Sequence, residues 1–96
     1  MLSQTYYVIL ARESGRYLAV QPQGQDNPDA PRYLLMFREN FEAMTYLNHH
    51  GGGLADRFTV ESVPQGQVKS LLQRWGFTGI GMVQDTLEPK IDFLNL

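Results

Sequence analysis

The sequence predicts an α+β fold, with a single mixed β-sheet of about five to six strands and two helices. Three observations support this prediction: apolar and aromatic runs typical of strands, two segments with helical spacing of apolar residues, and turn formers that separate these segments. The predicted order is β-β-β-α-β-α-β-β. We expect residues 1–96 to form one domain, because 96 residues leave no room for a second core.

The N-terminal third of the chain predicts three strands and one long loop. Residues 5–11 (TYYVILA) are β-branched and aromatic without polar alternation, which is typical of a strand covered on both faces. A Ser-Gly turn at residues 14–15 predicts a hairpin with residues 17–20 (YLAV). Residues 21–31 contain three prolines and several turn formers, so they predict an exposed loop before a third strand at residues 32–37.

The next segment predicts the first helix. Three apolar residues recur on one side of it: Phe41, Met44 and Leu47. Two more flank this side: Ala43 and Tyr46. This spacing predicts a helix from about Glu39 to His50, started by Asn40 or Glu39. Gly51 is placed to follow the last helical residue, because glycine adopts positive φ without steric cost.

The second half of the chain predicts a strand, a helix and two more strands. Residues 57–63 (RFTVESV) alternate in polarity, which is typical of a half-buried strand. The second helix has the i, i+3, i+4, i+7 spacing in Val68, Leu71, Leu72 and Trp75. Pro64 lies near its start and Gly76 just past its end.

Residues 79–83 (GIGMV) and 91–94 (IDFL) predict the last two strands, the second at a sheet edge. We expect both helices on one face of the sheet.

Composition excludes several classes of function. The eight basic residues are scattered and the net charge is −2, so the basic surface expected of a nucleic-acid-binding protein is missing. Cysteine is absent, which excludes thiolate catalysis and disulfides and favours the cytoplasm. The apolar run at residues 6–11 is too short for a signal peptide or a membrane span. We therefore expect a soluble cytoplasmic protein that binds neither nucleic acid nor membrane.

The stretch His49-His50-Gly51-Gly52-Gly53 is the most distinctive in the sequence. It is similar to the HGGG element of esterases, but that element serves a serine on a G-x-S-x-G turn, which this sequence lacks. Adjacent histidines on a helix point about 100° apart and cannot share a metal ion.

His50 and Asp56 could approach each other across the glycines, yet a metal site needs three or four ligands. We interpret the histidines as the end of a helix and the glycines as a turn. The alternative is a small-ligand or weakly catalytic site formed by His49, His50 and Asp56 around the glycine loop.

No other pattern predicts catalysis or a cofactor. Gly76, Gly79 and Gly81 fit neither the dinucleotide-binding nor the P-loop pattern, and the last two indicate close approach of a neighbouring element. Glu39 and Glu42 lie in a predicted first helical turn, where they complement the helix dipole. We therefore expect no catalytic residue, no metal site and no cofactor.

Four tyrosines fall on the three predicted N-terminal strands: Tyr6, Tyr7, Tyr17 and Tyr33. If both helices cover one face of the sheet, some tyrosines lie on the other face as an aromatic patch typical of protein interfaces. Alternatively, they border the core with their hydroxyls in water, or they stack RNA bases, although the basic rim for RNA is missing. We expect a non-catalytic protein-interaction or regulatory module that binds another protein, or a second copy as a homodimer, through this face or an edge strand.

Three segments resemble a known family. They are residues 6–11 (YYVILA), 34–47 (LLMFRENFEAMTYL) and 68–83 (VKSLLQRWGFTGIGMV). Their order of strands, helices and glycine resembles the SseB-like N-terminal domain family, and is similar to small cyanobacterial and plastid proteins of comparable size. The resemblance implies packing patterns of a shared fold and carries no catalytic residue set.

Overall fold

The computed structural model describes residues 4–21, 30–50, 55–87 and 90–95. Its elements, in chain order, are β1 (Thr5–Ala11), β2 (Ala19–Val20), β3 (Tyr33–Met36), α1 (Asn40–His50), a 3-10 turn (Ala55–Arg57), β4 (Phe58–Pro64), α2 (Gln65–Trp75), β5 (Gly79–Asp85) and β6 (Lys90–Asn95). The predicted α+β class and the order of elements are confirmed. Neither of these two helices is long and apolar enough to cross a membrane.

Two predicted loops fall largely outside this description. Residues 22–29 of the predicted loop at 21–31 are not among the described residues, and neither are the glycines at 51–53. The prediction that Gly51 follows the first helix therefore stays a prediction.

The strands form two sheets rather than the single sheet that the sequence predicts. β1 pairs antiparallel with β4, whereas β2, β3, β5 and β6 form a second sheet in that order, with β3 and β5 parallel. The short β2 explains the division. Just before it, Tyr17 bridges Leu10 of β1, but the two residues of β2 then pair with β3. The chain thus leaves β1 after a brief contact, and isolated bridges such as Tyr7 to Phe37 connect the two sheets.

The two helices lie against opposite faces, so the expectation that both cover one face is wrong. The α2 cluster contains the buried residues Val8, Leu34, Met36, Val63, Leu72, Phe77 and Met82. The α1 cluster contains the buried residues Ile9, Leu35, Phe37, Ala43, Leu47 and Val83. Successive residues of a strand point to opposite faces, so Val8 and Ile9 show that each face of β1 has its own helix. The predicted cover of this strand on both faces is confirmed.

Helix α1 is rotated about its axis relative to the prediction: of the predicted side Leu47 is buried, and the flanking Ala43 is buried in place of Phe41 and Met44. Ala43 and Leu47 are buried, whereas Phe41 is 68% exposed and Met44 is 47% exposed. Both stripes have helical spacing, so periodicity alone cannot choose between them. The choice follows from Phe37, whose backbone is bonded to β1 directly before the helix and whose ring lies 5.4 Å from that of Tyr46.

Helix α2 agrees closely with its sequence pattern. It follows Pro64 directly, and Gly76 after its last residue has a φ of +72°, the left-handed conformation that favours glycine. Leu72 is buried on the predicted side. Trp75 lies at the margin of this side, 39% exposed, with its ring edge-on to Tyr17 at 5.3 Å.

Candidate functional site

Strand β6 is an edge of the second sheet, which confirms the predicted final edge strand. Within the described ranges its strand neighbour is β5 alone, so the backbone groups on its outer side have no strand partner there. Phe93 is 40% exposed and Leu94 is 52% exposed. Because these residues are adjacent, their side chains lie on opposite faces of the sheet. An added strand would therefore meet an apolar side chain on each face.

An apolar groove of about 350 Å³ lies beside β6, on the face that α2 covers. Its apolar lining consists of Tyr6, Met36, Val68, Leu72, Ile80 and Leu94. Among the described lining residues, Lys69 of α2 is the one that carries a charge. The groove can accept apolar side chains from a strand that runs along β6, and it places an ammonium group beside them.

Gly79 allows β6 to lie close enough to β5 to form this groove. A Cβ atom built on Gly79 would collide with the carbonyl oxygen of Leu94 and lie 2.8 Å from the Cα atom of Asn95. The collision is with backbone, which cannot rotate away. At Gly81 a Cβ atom would lie 3.0 Å from a methyl carbon of Ile91. The prediction that these glycines mark a close neighbour is confirmed.

The four tyrosines do not share one uncovered face. Tyr6 and Tyr17 pack against the α2 cluster, and Tyr7 packs against the α1 cluster. Tyr33 is buried, donates a hydrogen bond of 2.7 Å to Oδ1 of Asn95, and thereby ties the end of β6 to β3. Because a helix lies on each side of β1, the structure offers no single tyrosine surface within its described part, and contact of these residues with a partner stays a prediction.

Tyr17 lies beside two charged side chains. Its hydroxyl donates a hydrogen bond of 3.3 Å to Oε1 of Glu61. Burial raises the pKa of the Tyr17 phenol above its ordinary value of 10.0, the charge of Glu61 and this hydrogen bond raise it further, and Arg74 acts in the opposite direction. Tyr17 therefore stays neutral to higher pH than a free tyrosine does.

Glu61→Gln should lower the pKa of Tyr17 towards its ordinary value, because the negative charge that opposes the phenolate is removed. Since the folded-state pKa exceeds the unfolded one, Tyr17 contributes stability that is fully present below the unfolded pKa and lost as pH rises through the folded pKa. The substitution should move this alkaline loss to lower pH. NMR titration that resolves the individual tyrosine rings and urea unfolding at a series of pH values would measure both effects.

Tyr46 is the internal control for this titration, because burial alone raises its pKa. Its titration should be the same in the wild-type protein and in the Glu61→Gln variant. A shift shared equally by both tyrosines would contradict the role given to Glu61.

None of the contacts within the described residues joins Asp56 to His49 or His50. Both histidines lie exposed in the last turn of α1, with their ring centroids 4.7 Å apart. Nε2 of His50 lies 2.8 Å from the carbonyl oxygen of Thr86 and must carry a proton to donate to it. Asp56 lies in the 3-10 turn and lines a cleft together with Arg12 and with Asn48 of α1.

Groups of three or more side chains that could hold a metal ion are absent from the described ranges. The placement of both histidines in the last described turn of α1 agrees with the interpretation that they end a helix, and the turn at the glycines stays a prediction. The ligand-site alternative depends on residues 51–53, which lie outside the description.

The structure brings together arginines that are scattered along the sequence. A cleft of about 300 Å³ at the C-terminal end of α2 is lined by Arg16, Arg32, Tyr17, Trp75 and Phe77. Arg74 lines a neighbouring cleft that also includes Tyr17. Sequence reasoning missed this group because its members come from three separate parts of the chain. The helical pattern places Trp75 on the apolar side of α2, and only the structure shows that its ring is partly exposed.

Comparison with protein-family models, with curated proteins and with solved structures finds no match for this chain. The resemblance to the SseB-like N-terminal domain family stays a prediction.

Proposed function

We propose that the protein is a non-catalytic interaction module that binds an extended segment of another protein along the outer edge of β6. The observation that supports this function is the combination of an open strand edge and an apolar groove directly beside it. When a peptide adds to a sheet edge, main-chain hydrogen bonds supply affinity and pockets for alternate side chains supply specificity.

The two faces of β6 determine the pattern of the segment. An added strand lies about 4.8 Å from β6, and its successive side chains point to opposite faces. One set of side chains would enter the groove beside Leu94, and the other set would lie next to Phe93 on the opposite face. The proposed segment therefore has apolar residues at alternate positions on the groove side.

Lys69 determines the charge of the segment. Its side chain lies on the exposed side of α2 at the wall of an otherwise uncharged groove. A carboxylate on the bound segment would pair with this ammonium group without entering the apolar part of the groove. We therefore propose that the bound segment carries an acidic residue next to its apolar positions.

Selection from a displayed library of random extended peptides tests the function. The wild-type protein should enrich peptides with alternating apolar residues and an acidic residue. Lys69→Glu should replace the acidic preference with a basic one, because the sign of the charge at the wall is reversed. Leu94→Glu should abolish enrichment, because it places a charge at the outer wall of the groove.

Leu87→Glu is the matched control, because Leu87 is an exposed apolar residue in the turn before β6 and does not line the groove. Enrichment should survive this substitution. Equal enrichment by the wild-type and Leu94→Glu proteins would contradict the proposal. Light scattering tests whether a second copy of the chain occupies the edge of β6. A dimer that Leu94→Glu dissociates would assign the edge to that copy rather than to another protein.

The proposal includes a cytoplasmic location, which the absence of cysteine supports. The small-ligand alternative at His49 and His50 gains no support from the described residues, since His50 already contacts Thr86.

A further inference from the structure

We propose that the cleft between Arg16, Arg32 and Trp75, here called the arginine cleft, binds a small organic anion whose phosphate or carboxylate group is attached to an aromatic ring. The inference is independent of the function proposed for β6, because the two surfaces share no lining residue.

The charge of the arginine cleft supports an anionic ligand. Two guanidinium groups line it, and none of its described lining residues is acidic. The chain as a whole has a net charge of −2, so the cleft does not simply reflect a basic composition. Glu61 lines the neighbouring cleft instead, where it accepts the hydrogen bond from Tyr17.

Arg32 is held in a defined position before any ligand binds. Its guanidinium carbon lies 5.3 Å from the ring centroid of Phe77, and Nη2 donates a hydrogen bond of 3.4 Å to the carbonyl oxygen of Trp75. A guanidinium has five N–H donors in a planar fork, so most of them remain to bind an oxyanion. The carbonyl of Trp75 lies at the negative end of α2, where it would repel an anion. Because it faces the Arg32 guanidinium, this repulsion is reduced.

Arg16 supplies a second guanidinium, and its backbone is fixed. Gly15 before it has a φ of +69°, and the Arg16 carbonyl accepts a hydrogen bond of 2.9 Å from Ala11. The Arg16 side chain is exposed, and within the described part of the chain its guanidinium has no hydrogen-bond partner. It can therefore close on a ligand without breaking an existing contact.

Trp75 supports an aromatic ring on the ligand. Its indole is partly exposed in the cleft and held edge-on by Tyr17. Ring pairs of this kind contribute binding energy beyond the area that they bury. The cleft volume of about 300 Å³ is at the lower end for small-ligand sites. One ring with one anionic group fits this size, whereas a dinucleotide does not.

Fluorescence of Trp75 tests the proposal directly, because it is the only tryptophan in the chain. Phenyl phosphate and phenylacetate should each change this fluorescence in a saturable way, and their relative affinities distinguish a phosphate from a carboxylate ligand. Inorganic phosphate should bind more weakly, because it lacks the ring. Arg16→Ala should lower the affinity of the tighter-binding aromatic probe by about tenfold or more, because a charged hydrogen bond is lost.

Arg57→Ala is the matched control, because Arg57 is an exposed arginine that lines neither cleft. It should leave the affinity unchanged, as should Leu94→Glu. Circular dichroism would confirm that Arg16→Ala folds, which is expected for an exposed side chain. Arg32→Lys gives a second variant that keeps the positive charge and loses the fork, and it should also weaken binding.

Three results would overturn the proposal. The first is a fluorescence change that does not saturate with either aromatic probe. The second is equal weakening by Arg16→Ala and Arg57→Ala. The third is binding of a single-stranded oligonucleotide that is tighter than that of the aromatic probes and is lost in Arg16→Ala, which would assign the cleft to nucleic acid.

Discussion

Phe37→Ala should lower the free energy of unfolding by about 3–5 kcal/mol, the range for truncating a fully buried phenylalanine. Phe37 has no exposed surface, belongs to the α1 cluster and contacts the ring of Tyr46. Its backbone exchanges hydrogen bonds of 2.9 and 2.8 Å with Tyr7, which alanine retains. The effect therefore measures the side chain, which holds α1 against the junction of the two sheets. A small domain with about 5–10 kcal/mol of total stability would lose a large share of it.

Urea unfolding followed by circular dichroism measures this effect, and Phe41→Ala is the matched control. Phe41 lies four residues further along the chain, in the first turn of α1, and is largely exposed, so its truncation should change stability by no more than about 0.5 kcal/mol. The pair also tests the orientation of α1. If Phe41→Ala costs as much as Phe37→Ala, then α1 buries Phe41 as periodicity predicts, which contradicts the orientation that buries Ala43.

Gly79→Ala should destabilise the protein by about 3 kcal/mol, the upper end of the usual cost of overpacking. The added methyl group meets the carbonyl oxygen of Leu94 and the Cα atom of Asn95, and neither can move without displacing β6. The pairing of Gly79 with Asn95 should open, and hydrogen exchange at the end of β6 should become faster. The groove should lose its outer wall at Leu94.

Gly66→Ala is the control, and its expected effect on stability is opposite in sign to that of Gly79→Ala. Gly66 lies in the first turn of α2, and a Cβ atom there meets no described heavy atom within 4 Å. Alanine should therefore stabilise the helix by about 0.5–1 kcal/mol. Equal stability of the two variants would show that β6 does not approach Gly79 as closely as described. If Gly79→Ala folds but no longer enriches peptides, the result links strand pairing to the proposed function.

The features that the sequence predicts well depend on neighbouring residues along the chain. The first strand has the predicted bounds of Thr5–Ala11, because β-branched and aromatic residues favour extended backbone locally. The second helix ends as predicted, because Gly76 removes the steric penalty of positive φ. The close approach at Gly79 was also predictable, since a glycine within a strand indicates a neighbour with no room for a side chain.

The features that the sequence did not predict depend on contacts between distant segments. The α1 sequence contains two overlapping apolar stripes, and the packing of Ala43 and Leu47 with the strand residues of the α1 cluster decides which one is buried. Strand pairing is equally non-local: Tyr17 bridges Leu10 of β1 just before β2 pairs with β3, and this change of partner divides one predicted sheet into two.

The candidate sites follow the same division. The sequence by itself determined that β6 is an apolar edge strand and that two histidines end α1, because both follow from local periodicity and turn residues. Only the tertiary structure placed the groove beside β6 and brought Arg16, Arg32 and Trp75 to one cleft. Periodicity determines which side of an element is apolar, but the packing of distant elements decides which side chains meet.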